Sequence, residues 1–147
     1  MFPSHDLQSI SSATNTKVQI NTELFDTDNC YDNSTNYRFT PTVAGKYFVY
    51  ADIQLHGNAD LEVARTKIYK NGSQYKSVVI DPVNTSNAIN TSNVINTAII
   101  DMNGSSDYLE VFGEVQSGAS TAFQGSTKST YFGAYRLIGA RSWLGNL

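Results

Sequence analysis

The stretch Tyr37–Leu55, YRFTPTVAGKYFVYADIQL, decides how the chain is read. Pro41 and Gly45 split it into two aromatic-rich runs. Proline lacks a backbone donor and cannot sit inside a central strand, so Pro41 closes a strand that ends at Phe39. Gly45 supplies turn geometry, and the next strand begins at Lys46 or Tyr47. Along KYFVYADIQ one face carries Tyr47, Val49, Ala51 and Ile53, which suits a sandwich interior. The other carries Phe48, Tyr50, Asp52 and Gln54, and so begins with two aromatics that a lone domain would leave in water. A strand apolar on both faces is covered on both faces. In a one-domain sandwich the second cover is most easily another subunit.

Outward from this stretch the dominant period is two. TKVQINTELF alternates Val18, Ile20, Thr22 and Leu24 with polar neighbours and reads as a half-buried strand over 16–25. TKIYKNGSQYKSVVI reads as a hairpin, because Asn71-Gly72 is the favoured pair for a type I′ turn. DYLEVFGEV and STYFGAYRLIGA read as two further strands. ADLEVARTKIY comes nearest to a helical period but is read as a strand entered from the loop HGNAD. The repeat NTSNAI-NTSNVI-NTAII has a six-residue unit, so Ile89 and Ile95 face the same way if extended. Its first copy reads as loop and its second as the lead-in to a strand ending at AIIDM. Short strands separated by Gly, Asn and Ser indicate an antiparallel sandwich.

The chain has 147 residues, which fits one domain, and such a domain buries roughly 70% of its unfolded surface without needing a disulfide or metal. The net charge of −3 and the absence of any run of four basic residues speak against nucleic acid as a partner. Only 16% of residues are charged, while 12% are aromatic, which is a neutral, polar-surfaced globule and not a disordered chain. No apolar stretch approaches membrane-spanning length, and the start MFPSHDLQS has no secretory pattern. Cys30 is the one cysteine, so no internal disulfide forms, and with no histidine near it in sequence it reads as a small, partly buried side chain. The sequons at Asn33, Asn71, Asn84, Asn90 and Asn103 follow from the Asn/Ser/Thr-rich composition.

RFTPTVAGKYFVYADI resembles the central signature of the complement C1q-like globular head, Phe-Thr-x-Pro-x-x-x-Gly followed by an aromatic strand, here on Phe39, Thr40, Pro41, Gly45, Tyr47 and Phe48. FDTDNCYDNSTNYRFTP, KIYKNG, NTAIIDMNGSSDYLEVFGEV and STYFGAYRLIG resemble further pieces of that domain in the same order, with GSSD replacing the usual Gly-Asp pair. The likeness spans roughly Gln8 to Gly139, and its wording is most similar to C1q-like domains carried on bacteriophage virion proteins. The resemblance implies an all-β C1q/TNF-like jelly-roll sandwich of about ten antiparallel strands, assembled as a homotrimer and without enzyme activity. The domain is placed at 8–140, with a short arm at 1–7 and a tail at 141–147.

The resemblance also implies a role: a virion structural protein on the particle surface, as capsid decoration, head fibre or tail-fibre element, assembled in the host cytoplasm. Its partners would be copies of itself, other virion proteins such as capsid or fibre, and host surface glycan or protein. The alternatives are a receptor-binding tail-fibre head and a secreted cellular C1q-like ligand. The missing leader and lone cysteine weigh against the latter, and the lack of a collagen-like or coiled-coil stalk favours a compact decoration protein. The expected trimer contacts are Phe48, Tyr50 and Phe132. Trp143 and Leu144, in the tail RSWLGNL, are expected to dock a partner. Asn84, Asn87 and Asn90, in the low-charge loop DPVNTSNAINTS, are expected to meet a receptor.

For chemistry the sequence offers little. Asp26, Asp28 and Asp32 alternate in DTDNCYD and are weak calcium candidates. An EF-hand loop would place Asp or Asn where Cys30 stands, Gly where Tyr31 stands and Glu where Tyr37 stands, so a solvated acidic loop without cofactor is the expectation. No HxH, HExxH, CxxC or G-x-S-x-G pattern occurs. Glu110 and Glu114 are the carboxylate pair a glycosidase would need, but on one strand face they read as solubilising edge charges.

Overall fold

The alternation read in the second run of the deciding stretch is realised. From Tyr47 to Gly57 every second residue is buried, with Val49, Ala51, Ile53 and Leu55 fully so. The computed structural model describes residues 2–3, 7–58, 61–82, 89–125 and 128–138. These form twelve strands: β1 (Phe2–Pro3), β2 (Gln8–Ile10), β3 (Thr16–Lys17), β4 (Tyr31–Asp32), β5 (Arg38–Phe39), β6 (Gly45–Gly57), β7 (Leu61–Lys70), β8 (Ser73–Ile80), β9 (Thr91–Met102), β10 (Leu109–Ser117), β11 (Thr121–Phe123) and β12 (Tyr131–Arg136).

All pairings are antiparallel, in two six-stranded sheets. Sheet A is built on β6, which pairs β9 on one edge and both β11 and β12 on the other, with β2 and β1 outside them. Sheet B is built on β10, which pairs β7 on one edge and both β3 and β5 on the other, with β8 and β4 outermost. One core fills the space between them. Tyr47, Val49, Ile53, Leu55, Val94, Ile100 and Phe132 of sheet A enter it with Ile68, Leu109, Val111 and Val115 of sheet B. Burying each aliphatic side chain contributes about 1.5–3 kcal/mol, so Ile53→Ala costs roughly 2–5 kcal/mol.

The turn reading of KNGS holds: Asn71 and Gly72 have φ of 52° and 78°, as a type I′ turn requires. The same turn is tied to the β9–β10 connection, where Asn71 Nδ2 donates to Asp107 Oδ1 at 2.7 Å and Tyr108 N–H donates to Asn71 Oδ1 at 2.9 Å. β7 is a strand, as expected for LEVARTKIYK, and the second copy of the six-residue repeat enters β9.

The strand expected over 16–25 is corrected. Only Thr16–Lys17 joins the ladder, opposite Gly113 and Phe112. Val18 and Ile20 still bury, and Val18 N–H donates to Val111 O at 2.9 Å. The next partner would be Glu110, but β5 already occupies that edge of β10 through Arg38. Two segments compete for one edge, and the chain therefore leaves it: Leu24 and Phe25 are exposed.

β9 is an edge strand whose outward carbonyls are capped by side chains. Lys70 Nζ donates to Asp101 O at 2.6 Å, the Tyr75 hydroxyl to Ile99 O at 3.3 Å, and Lys76 Nζ to Thr97 O. Lysines over a sheet edge block pairing with another chain there. Buried Asn96 reinforces the seam, its Nδ2 donating to Thr66 O and Lys76 O at 2.9 and 3.2 Å.

Candidate assembly face and expected site residues

Phe48 and Tyr50 point away from the core, on the outer face of sheet A, because their parity is opposite to that of buried Tyr47, Val49 and Ala51. The register of β6 puts Tyr135 opposite Phe48 and Gly133 opposite Tyr50 on β12, and Ile99 and Thr97 opposite them on β9. Phe48 meets Tyr135 at 5.3 Å between ring centroids and Tyr50 at 6.4 Å. The far end of the Tyr50 ring lies over Gly133 of β12, where an added Cβ would come within 2.3 Å of it. Burial raises the Tyr50 phenol pKa above its usual value, with nearby Tyr135 adding to it. Around these rings Ile95, Ile99 and Tyr135 are 60%, 56% and 55% exposed.

Polar pairs close the two ends of this apolar band. Lys46 meets Asp101 at 2.7 Å at one end. At the other, Asn93 Nδ2 donates to Asp52 at 2.8 Å, Gln54 donates to Asn93 at 3.1 Å, and the His56 ring lies 2.8 Å from the Thr91 hydroxyl. Sequence reasoning missed Tyr135, Ile95 and Ile99 as members of the face. The signal was present: VINTAII in β9 is apolar at both parities, like YFVY in β6.

Phe132 requires a correction. It is opposite Ala51 in the register, shares the inward face, and is 1% exposed against Tyr31, whose ring centroid is 5.8 Å away. It is a core residue, and its neighbours Gly133 and Tyr135 take the outward positions. Tyr31 is itself buried, which lifts its phenol pKa far above the ordinary range.

The three aspartates are not brought together. Asp32 accepts from the backbone N–H groups of Ser34, Thr35 and Asn36 and from the Ser34 and Asn36 side chains, so it closes the turn between β4 and β5. Those bonds, led by the Thr35 N–H, hold its pKa well below the carboxylate range. Asp26 accepts the Tyr31 N–H at 2.8 Å. Among the described residues no three His, Cys, Asp or Glu side chains form a metal-binding group. An open cleft of about 370 Å³ beside this turn is lined by Asn29, Asp32, Asn36 and Arg38 among others. Cys30 is buried, with its thiol directed at Asp28 O.

Glu110 and Glu114 are not edge charges, since β10 is the middle strand of sheet B. Glu110 sits between Lys17 and Arg38 at 2.7 and 3.3 Å. Glu114 is held by Arg65 and by Lys67 at 2.7 Å, and the Lys67 hydrogen bond leads in lowering its pKa. Carboxylates so committed to cations are poorly placed to move protons. Asn90 is exposed, and its carbonyl accepts the Gly57 N–H at 2.9 Å. Asn84 and Asn87 of the expected receptor loop, and Trp143 and Leu144 of the tail, lie outside the described residues.

No family model and no curated protein matches the sequence. Solved structures do match in fold. The chain is similar to Eiger TNF from S. frugiperda, with a TM-score of 0.71 over 99% of this chain and 96% of that one, at 10% identity. It is also similar to murine APRIL, with a TM-score of 0.63 over 90% of this chain and 99% of that one, at 11% identity. At such identities the likeness is one of fold, and the fold is an antiparallel jelly roll of the TNF/C1q type.

Proposed function

We propose that the chain is a non-enzymatic head that assembles as a homotrimer through the outer face of sheet A. The carrying observation is the unpartnered band of Phe48, Tyr50, Tyr135, Ile95 and Ile99, with exposures of 55–60% at the last three. Aromatics of this size bury on the order of 150 Å² each when covered, and a closed threefold ring forms when such a face meets a different patch of the next copy through a rotation that closes. Within that reading the trimer is displayed on a virion surface, as capsid decoration or fibre element, and its loops meet host glycan or protein. The wording of VQINTELFDTDNCYDNSTNYRFTPTVAGKY supports this placement.

The segment 141–147, with Trp143 and Leu144, docks to the particle, and the loop around Asn84, Asn87 and Asn90 faces the host. Sedimentation velocity tests the assembly: a species of three chain masses at micromolar concentration is expected, and a stable monomer overturns it. Deleting 141–147 should leave the trimer folded but absent from purified particles. Normal loading of the deleted protein would overturn the docking role. A second reading, a cellular ligand of the TNF/C1q kind, is favoured by both named fold neighbours, one from S. frugiperda and one murine. Labelled protein distinguishes the two, since particle-bound signal belongs to the first reading and animal-cell binding to the second.

A further inference from the structure

The cleft of about 370 Å³ beside the β4–β5 turn falls in the size range of small-molecule sites, about 300–1,000 Å³. Its lining is mostly polar: Asn29, Asp32, Asn36, Arg38 and Thr40, with buried Cys30 and Tyr31 completing it. Two non-glycine residues around it have left-handed backbones, Asn29 at φ 52° and Tyr37 at φ 51°. Asparagine tolerates that region, but for a side chain as bulky as tyrosine it is an outlier, and backbone strain of this kind gathers at ligand sites.

Charge around the cleft is balanced. Asp32 stands opposite Arg38 in the β4–β5 register, and Arg38 and Lys17 both reach Glu110. Two cations thus meet two carboxylates, which gives a charged ligand no advantage. Asp32 is also spent, because both its oxygens accept from the turn. What remains open is neutral. The Asn29 side-chain amide and the Thr40 hydroxyl have no partner among the described residues. The Asn36 side chain donates its Nδ2 to Asp32, which leaves its Oδ1 to accept.

We propose that this cleft binds one neutral hexopyranose unit of a glycan. The Asn29 amide and the Thr40 hydroxyl each donate and accept, as a sugar hydroxyl does, so neighbouring hydroxyls of one ring find partners in both, with Asn36 Oδ1 as a further acceptor. A divalent cation fits poorly, because the one carboxylate in the lining already serves the turn. An extended peptide fits poorly as well, since β4, the outermost strand here, has two residues and offers little edge for a strand to join. No residue of the assembly band lines the cleft, and three copies in one trimer would add by avidity. The proposal rests on the reading of the chain as a displayed head that meets glycan, and gives that reading a site on the folded sandwich.

The test is an amide chemical-shift titration of the full chain with methyl α-D-mannopyranoside, methyl β-D-galactopyranoside and methyl β-D-glucopyranoside. At least one should give saturable shifts centred on 29–32 and 36–40, with a dissociation constant in the millimolar range, as a few neutral hydrogen bonds at an open site allow. Asn29→Gly suits the left-handed backbone and removes the amide. Thr40→Val keeps the side-chain shape and removes the hydroxyl. Each should weaken binding about fivefold, the worth of one neutral hydrogen bond, with an unchanged circular dichroism spectrum. Glucuronate and glucosamine should bind no more tightly than the neutral glycosides. No shifts at the cleft with any of the three glycosides, undiminished binding by both variants, or tighter binding of a charged sugar would each overturn the proposal. A trimer without cleft shifts removes this site alone, and cleft shifts in a monomer remove the assembly alone.

Discussion

On the outer face of sheet A, Phe48 packs on Tyr135 with centroids 5.3 Å apart, and Ile95 and Ile99 beside them are more than half exposed. On the outer face of sheet B, Phe112 packs on Tyr69 at 4.3 Å, but Lys17 lies over the ring and Lys67 stands directly opposite Phe112 in the register. Both faces carry aromatics, and only one covers them. Cation stems shield apolar surface while their heads stay in water, which keeps the face of sheet B soluble on its own. Sheet A places Lys46 at the end of the band and pairs it with Asp101. Its centre carries no such cover within the chain.

The largest expected effect breaks the comparison directly. Ile99→Lys would give sheet A the cover that sheet B already has. Ile99 is 56% exposed in the single chain, so the change should leave the monomer fold intact. In an assembled trimer it would bury an unpaired ammonium at a cost of several kcal/mol. The protein should sediment as a monomer with an unchanged circular dichroism spectrum. If it remains a trimer, the assembly surface lies elsewhere.

Gly133→Val comes next. Its Cβ would fall 2.3 Å from the Tyr50 ring, so the ring must leave its place over β12. Overpacking of this kind costs about 1–3 kcal/mol, read from urea unfolding. Tyr50→Ala in the same chain should restore part of the loss, a coupling that a double-mutant cycle measures. Equal losses with and without Tyr50 would place the strain in the backbone instead.

On sheet B the matching perturbation is Glu110→Gln. The Glu110 side chain is 6% exposed, while Lys17 and Arg38 are 30% and 31% exposed. Removing the charge leaves two cations side by side, with water screening part of their repulsion. The expected loss is about 1–2 kcal/mol, below that of a fully buried pair. A neutral outcome in urea unfolding would mean that solvent already screens the cluster.

These contrasts mark what could be read from the sequence. The inward and outward parities of β6 were legible because Pro41 and Gly45 fix where the strand begins and alternation does the rest. Asn71-Gly72 was legible because its turn is specified locally by φ. Phe132 was not: YFGAY carries aromatics at both parities, and only the pairing with Ala51, which lies 81 positions earlier, decides which ring turns inward. Glu110 and Glu114 were misread for the same reason. Their cations come from β3, β5 and β7, so neither the central place of β10 nor the ion pairs can be seen in DYLEVFGEV alone. The failed strand over 16–25 is a third case, since its alternation is real and the missing information is that β5 holds the edge it needs.

Acid gives a smaller and graded effect. Asp107 accepts from Asn71 at 2.7 Å and from the Asn103 N–H at 3.0 Å, and pairs with Lys70 at 2.9 Å. The Asn71 hydrogen bond leads, with that of Lys70 next, in lowering its pKa from 3.8 to about 2. A folded-state pKa below the unfolded one means that the contribution is complete above about pH 4 and fades as pH falls through about 2. Glu114 shifts in the same direction. Melting temperature should therefore drop between pH 4 and pH 2, and Asp107→Asn should be less stable at pH 7 yet fall less steeply over that interval. A parallel pH profile for the variant would remove Asp107 from the acid response.

The smallest expected effect is that of metal removal, and it concerns the turn between β4 and β5 of sheet B. Calcium would need Asp32 as a ligand, but both Asp32 oxygens already accept bonds from Ser34, Thr35 and Asn36. Taking a carboxylate from three backbone N–H groups would leave those donors without partners and open the turn before β5. Asp26 is likewise committed to the Tyr31 N–H. EDTA should therefore leave the melting temperature unchanged, and added calcium should not raise it. A rise that EDTA reverses would mean that the turn rearranges around the ion. Asp28, whose side chain lies nearest in sequence to both, would then be the third ligand to remove, by Asp28→Asn.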